Sequence, residues 1–437
     1  MQNITDSKQC KTCNMNLSED LLSGFEDCYF CTKYKKKWLG RDYPEKEREL
    51  KKILDFYKVK HKHDKYDCIV PLSGGKDSSY VLYLAVKKFG MRPLSLTFNN
   101  GFQTALARKN IKNAVAKLKT GHINIAYNKE ELRKMYSVFF NKTKNICTVC
   151  NHLINTSIFQ TAEKEKISLI IAGGVSKLEL APIYGNKRYC MEDIFLKVLD
   201  GEVNFDLKKY CNKQIRMNNK IEFITLFNYF DYNYTDVLNV LKNELDWNES
   251  VHGDAKVDCE FHPVISYFKF LNNGTSSSLL MASSLLRDKK ITIDEYNRRM
   301  KNVFNEFKNI EKAKIKEFFD YLNTEESTVN KNFSLLNYVE SLIQEEDFNE
   351  FNKLKYDNSM STSQKIEKLF EVILPELQRD GIVLEIMDFK DSELKILPKG
   401  HCRSCLQTDD TLLPWLEAVI NEHISEDITI ERFIRLE

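Results

Sequence analysis

The chain has 437 residues, a formal net charge of +2, 42% hydrophobic residues and 29% charged residues. This length accommodates two or three soluble domains, and the near-neutral balance excludes a global field that would select nucleic acid or an anionic membrane. No apolar run reaches spanning length. The start, Met1-Gln2-Asn3-Ile4-Thr5-Asp6, lacks a basic and then apolar leader, so a cytoplasmic protein without a membrane partner is expected.

The cysteines are the first chemical signal. Of twelve, eight form Cys-x-x-Cys pairs: Cys10/Cys13, Cys28/Cys31, Cys147/Cys150 and Cys402/Cys405. Such pairs in a reducing compartment point to metal or redox chemistry rather than to disulfide staples. In residues 1–40, the pairs Cys10/Cys13 and Cys28/Cys31 make two knuckles that together offer four thiolates. That is the donor set of a closed zinc site, and iron would use the same ligands. Cys68, inside an apolar run, reads as core packing. The basic segment Lys33 to Trp38 reads as a solvated helix face. A helix is expected over 44–60. His61 and His63, in a Lys-rich loop after it, are expected to face solvent.

Residues 41–262 alternate strand and helix signals. Strands are expected near 67–72, 92–98, 121–126, 168–172 and 221–226, with helices near 77–89, 103–118, 129–140 and 150–166. That alternation predicts an α/β domain with a parallel sheet covered on both faces. Its first strand runs into Ser73-Gly74-Gly75-Lys76-Asp77-Ser78 and then into a helix. A glycine turn at a helix start aims backbone N–H groups at one spot and favours a phosphate there. Ser73 and Ser78 offer hydroxyls, Lys76 adds charge, and Asp77 is placed to hold Mg²⁺.

This string resembles the PP-loop signature of the N-type ATP pyrophosphatases. The resemblance implies ATP as cofactor, cleaved to AMP and pyrophosphate to adenylate a substrate carbonyl oxygen, with Lys76 and Asp77 catalytic. It implies that Ser73 to Ser78 bind the phosphates. Phe98 and Asn99, ending the second strand, are expected beside the adenosine, and Gly173, ending the fourth, beside the nucleotide.

Cys147 and Cys150 fall between the third and fourth strands, at a helix start on the same side of the sheet. This resembles the tRNA 2-thiouridine and 2-thiocytidine synthetases. In that family two such cysteines and a later third hold a [4Fe-4S] cluster with one iron open. The third here is expected to be Cys259, after a helix at 234–245, with Cys190 and Cys211 as rivals. Where that family carries a Gly-His-x-x-Asp-Asp type motif, this chain reads Gly173-Gly174-Val175-Ser176-Lys177-Leu178-Glu179. Residues 8–305 also resemble the N-acetyl sugar amidotransferases, which convert an acetamido group to an amidino group. That likeness includes Leu286-Arg287-Asp288 and Ile291 to Glu295.

Residues 263–355 are expected to be helical, and Lys355 to Ser363 a linker. Residues 364–437 read as a small α+β domain: a helix to Arg379, Asp380-Gly381, two short strands at 382–386 and 394–397, Gly400-His401-Cys402-Arg403-Ser404-Cys405, and a closing helix. This resembles the C-terminal domain of NifU-type iron–sulfur scaffolds. Cys402 and Cys405, as ligands of iron–sulfur or as a persulfide carrier, imply a homodimer or a partner, because two thiolates do not complete a cluster.

The expected function is ATP-dependent sulfur transfer to a small molecule or a tRNA, with a donor such as a cysteine desulfurase. The alternatives are an amidotransferase fed by a separate glutaminase, and an iron–sulfur carrier.

Overall fold

The computed structural model describes residues 10–15, 27–174, 190–249, 258–273, 276–324, 354–379, 382–404, 408–425 and 427–436. Five strands, β1 (Cys68–Pro71), β2 (Pro93–Phe98), β3 (Gly121–Ile125), β4 (Leu169–Ala172) and β5 (Glu222–Thr225), form one sheet in the order β3-β2-β1-β4-β5. Every pairing is parallel. The strand order reverses direction between β1 and β4, so a crevice opens at the carboxyl ends of those two strands.

Both faces of the sheet are covered, as a parallel sheet requires. Cys68, Val70, Leu169, Ile171 and Ile224 pack on one face with α2 (Tyr43–Lys60), α3 (Lys76–Tyr83), α4 (Ala105–Leu118) and α9 (Tyr234–Leu245). Ile69, Leu94, Leu96, Ile170 and Phe223 pack on the other, against α6 (Cys147–Glu165). The interior strand β2 is buried at every position, its Ser95 and Thr97 hydroxyls donating to the Gly121 and Leu72 carbonyls.

The helices stop and start where their caps dictate. Asp42 accepts from Glu45 N at the start of α2, and Thr104 from Ala107 N at the start of α4. A π-helical turn over Leu84–Lys88 extends α3, filling the helix expected over 77–89. The helix expected from 150 begins three residues earlier, at Cys147, because Asn145 Oδ1 accepts the Cys147 N–H at 2.8 Å.

Beyond the sheet, α10 (His262–Asn273) and α13 (Lys312–Leu322) pack with α5 (Lys129–Thr143), α7 (Met191–Leu199) and the start of α6 in an aromatic-rich core. Helix α1 (Tyr29–Lys37) follows the N-terminal knuckle, α8 (Lys213–Asn218) precedes β5, and α11 (Ser277–Arg287) and α12 (Ile293–Lys308) meet the knuckle.

The C-terminal region has its own core and a sheet ordered β6-β7-β8, from Ile382–Lys390, Glu393–Gly400 and Thr429–Arg432. The first two strands are antiparallel and run longer than expected; the third pairs parallel with β7. β8 escaped the sequence reading because it is four residues long with a charged pair, Glu431 and Arg432. The expected linker shortens as well, since the helix Thr362–Arg379 claims Thr362 and Ser363. Asp380, Gly381, Cys405, Val175 and Glu179 lie outside the described residues.

His61 corrects an expectation. It is 5% exposed, its Nδ1 pairs with Asp64 Oδ2 at 2.8 Å and its Nε2 with Ser168 Oγ at 2.7 Å. Both ring nitrogens are satisfied inside the fold, so the imidazole stays buried beside the amino end of β4 despite its Lys-rich flanks.

Candidate functional site

The anion turn is built by its own backbone and hydroxyls. Gly74 has φ +85°, and a Cβ there would lie 2.5 Å from the Ala107 carbonyl oxygen, so only glycine fits. The Gly74 carbonyl is drawn away from the crevice by two donors, Trp247 Nε1 at 2.9 Å and Asn110 Nδ2 at 3.3 Å. Ser78 Oγ accepts from Ser73 N at 3.2 Å and lies 3.2 Å from Ser73 Oγ, which in turn accepts from Gly75 N at 3.3 Å. Gly173 abuts the turn: its Cβ would meet Asp77 backbone atoms at 3.1 Å.

Asp77 is held on both oxygens. Lys76 Nζ pairs with Oδ2 at 2.6 Å, and Tyr232 OH donates to Oδ1 at 2.7 Å. The Lys76 ammonium also lies over the Tyr232 and Tyr234 rings at 5.5 and 5.6 Å. It therefore adds charge from behind Asp77 rather than from the crevice.

A cavity of about 340 Å³ opens at the carboxyl ends of the strands. Ser73, Asp77, Ser78, Phe98 and Gly173 line it, and so do Cys147, Cys150 and Cys259. Each thiol arrives from a different constraint. Cys147 is the first residue of α6, and Cys150 sits one turn later on the same helix face. Cys259 precedes α10, in a segment tied to the end of β2 by Glu260 N donating to Phe102 O at 2.9 Å. Burial, reinforced by the Cys147 charge, pushes the Cys150 and Cys259 thiols up to about 12. Metal binding here therefore has protons to displace.

Among the described residues, only Cys10, Cys13, Cys28 and Cys31 bring three or more metal-ligating atoms within 4.8 Å of one another. Cys147, Cys150 and Cys259 do not meet that limit, so at least one pair of these sulfurs lies more than 4.8 Å apart. Cys190, the N-cap of α7, and Cys211, whose Sγ donates to Leu207 O at 3.4 Å, do not line the cavity.

The knuckle contrasts in every respect. Its four sulfurs are fully buried, with Cys10 to Cys31 at 3.7 Å and Cys13 to Cys28 at 3.6 Å. A tetrahedron with metal–sulfur bonds of about 2.3 Å has edges of about 3.8 Å, so the donor set fits one ion. Arg287 Nε donates to Cys31 Sγ at 3.3 Å, and Tyr296 OH to Asn14 O at 3.0 Å.

Several residues of the cavity escaped the sequence reading. Asn99 is exposed, and it is Asn100 that lines the cavity, with its Nδ2 3.8 Å from Cys150 Sγ. Asp258, next to Cys259, also lines it and reaches over Gly75, its Oδ2 3.7 Å from where a Cβ would stand. Its place beside a candidate ligand was the available signal. Cys402 is buried in the C-terminal region, far from this cavity in the fold, where Thr408 Oγ1 donates to its carbonyl at 2.7 Å.

Residues 366–431 match the family model of the NifU-like domain. An uncharacterized protein of Methanocaldococcus jannaschii is 26% identical over 147 residues, 34% of this chain. The chain spans about half the length of that curated relative, 50% of it. Among solved structures, the NMN synthetase from Francisella tularensis aligns at 12% identity, covering 61% of this chain and 94% of that one, with a TM-score of 0.32. The U34-tRNA thiolase NcsA from Methanococcus maripaludis, solved with its [4Fe-4S] cluster, aligns at 14% identity over 71% of this chain and 89% of that one, TM-score 0.29. The NH3-dependent NAD synthetase from Campylobacter jejuni, in complex with the nitrate ion, aligns at 16% identity over 48% and 95%, TM-score 0.25. The chain thus carries a Ser73 to Ser78 turn at the switch point of a parallel α/β sheet and a C-terminal segment that matches the NifU-like domain.

Proposed function

We propose that this protein is an ATP-dependent sulfur transferase. One observation carries the reading: the phosphate-binding turn and three thiols, Cys147, Cys150 and Cys259, line the same cavity. The backbone N–H groups of the turn and the hydroxyls of Ser73 and Ser78 receive the phosphates of ATP, and Asp77 presents a carboxylate for Mg²⁺. A substrate carbonyl oxygen attacks the α-phosphorus, the bond to the bridging oxygen breaks, and pyrophosphate leaves. Charge developing on the phosphates is met by the backbone N–H groups of the turn, with Lys76 adding positive potential from behind Asp77. Hydrosulfide then attacks the activated carbon, the C–O bond breaks, and AMP departs with that oxygen.

The three thiols fit a [4Fe-4S] cluster as an incomplete donor set. When bound there, such a cluster supplies a carrier for sulfide beside the activated carbon. The apolar wall of Phe98, Phe102, Ile146, Ile154 and Ile265 keeps water from competing for that carbon. The Cys10/Cys13/Cys28/Cys31 knuckle holds zinc as a structural ion. A cysteine desulfurase is the donor class that supplies the sulfur, and the substrate is a carbonyl of a small molecule or of a tRNA base.

Anaerobically purified protein should be brown, with broad visible absorption that disappears in the Cys147→Ala/Cys150→Ala variant. Pyrophosphate release from ATP should depend on substrate, and product should incorporate sulfide. A colourless wild-type protein with full turnover would sink the reading.

The amidotransferase alternative keeps the same adenylation and replaces hydrosulfide with ammonia from a separate glutaminase. Its support is the docking of the knuckle on α11 and α12, a layout within the stretch that resembles the sugar amidotransferases. Offering ammonium in place of sulfide separates the two, since this reading predicts AMP formation with ammonium after all three cavity thiols are removed.

A further inference from the structure

Asp77 does not face the crevice unaided. Tyr232 lies 155 residues on, beyond β5 and the short helical turn Leu226–Asn228, yet its OH donates to Asp77 Oδ1 at 2.7 Å. The residue is 1% exposed, and its ring sits edge-on to Phe227, centroids 4.9 Å apart at 78°. Phe227 in turn stacks on Tyr80 at 6.1 Å. Tyr80 is three residues along α3 from Asp77, on the same side of that helix. The phenol is therefore clamped to the helix that carries the carboxylate.

The other oxygen shows what the clamp opposes. Lys76 Nζ pairs with Asp77 Oδ2 at 2.6 Å and lies 5.5 Å from the centre of the Tyr232 ring. An unopposed ammonium draws a neighbouring carboxylate onto itself. Tyr232 instead splits the carboxylate between two donors. A carboxylate offers about four lone-pair sites, so two donors leave about two for a cation. Asp77 lines the cavity, with its side chain 25% exposed, and a hard cation that bridges to phosphates takes such an oxygen. We propose that Tyr232 is a positioning residue for the Mg²⁺ that accompanies ATP: it holds the Asp77 carboxylate off Lys76 and open to the metal. The inference rests on the reading of Ser73 to Ser78 as an ATP site, whichever nucleophile follows.

The test is calorimetric titration of the full chain with α,β-methylene-ATP, which cannot be split between its first two phosphates. Each titration is run with Mg²⁺ and again with EDTA. Wild type should bind more tightly with Mg²⁺. Tyr232→Phe removes only a hydroxyl and should lose about tenfold or more of that gain. Its affinity in EDTA should stay within about twofold of wild type. In an Asp77→Asn background, Tyr232→Phe should cost no further Mg²⁺ gain, because the two groups act as one. An unaltered Mg²⁺ gain in Tyr232→Phe overturns the inference and leaves the ATP site standing. So does an equal loss with and without Mg²⁺, which would make Tyr232 a prop of the turn, and so does a further loss in the Asp77→Asn background. Wild-type affinity that is the same in Mg²⁺ and EDTA also overturns it. A wild type that does not bind the analogue overturns the ATP site and this inference together.

Discussion

Two sulfur clusters in one chain are built to opposite ends. The knuckle sulfurs are fully buried, close enough for a single tetrahedral ion, and faced by the Arg287 guanidinium, which offsets the negative charge that four thiolates leave on a divalent metal. The cavity thiols are part-exposed, spread wider, and faced by the neutral Asn100 amide and the Asp258 carboxylate. A closed, charge-compensated set holds an ion still; an open, incomplete set leaves a coordination position for a reacting group. Identical Cys-x-x-Cys spacing thus belongs to a closed donor set in one place and an open one in the other. The difference lies in what the tertiary fold sets beside each pair.

The comparison is broken most forcefully at the knuckle. Replacing Cys31 by Ser removes one thiol from a buried four-cysteine set, and structural zinc sites of that kind bind with of order 10 kcal/mol. Zinc should no longer co-purify, and the midpoint of thermal unfolding should fall by more than about 10 °C in calorimetry. In the cavity the same type of change should do the reverse. Cys259→Ser is expected to lower turnover by about a thousandfold, roughly 4 kcal/mol of barrier, while the melting midpoint moves by only a few degrees. A large stability loss there would show that the cavity thiols are structural after all.

Arg287→Met tests the charge argument. Removing a buried cation from beside the thiolates should cost about 3 kcal/mol and speed zinc loss to a chelator, followed by a colorimetric zinc indicator. Gly74→Ala tests the other wall of the cavity. Forcing a Cβ onto a positive φ and into the Ala107 carbonyl should destabilise by about 2 kcal/mol in urea and abolish ATP-dependent pyrophosphate release. Asn100→Ala should be the mildest, below about 1 kcal/mol, because its contact with Cys150 is a long one to sulfur.

Much of the fold was legible because its signals are local. The strands β1 and β4 are short apolar runs, and Ser73 to Ser78 announces a strand–turn–helix by glycine placement alone. The knuckle was legible too, since two Cys-x-x-Cys pairs need only a hairpin's length of chain to meet. His61 was misread because its partners Asp64 and Ser168 include one more than a hundred residues away, and Lys-rich flanks say nothing of that. β8 was missed because its charges are neutralised by Arg41, Lys46 and Glu222 from distant elements.

Composition and spacing alone decided that this chain carries a glycine turn at a helix start and offers thiols in pairs, because turns, caps and metal knuckles are made by neighbours in sequence. Folding decided which thiols share a space. Cys259 rather than Cys190 or Cys211 joins Cys147 and Cys150 because Phe102 and Phe261 clasp its segment to the end of β2, a contact across more than a hundred residues. Folding also set Cys402 at the far end of the sheet, through a carboxylate on β5 whose partners lie some two hundred residues on. Long-range packing and buried ion pairs leave no periodic trace in a chain, and only the assembled structure shows them.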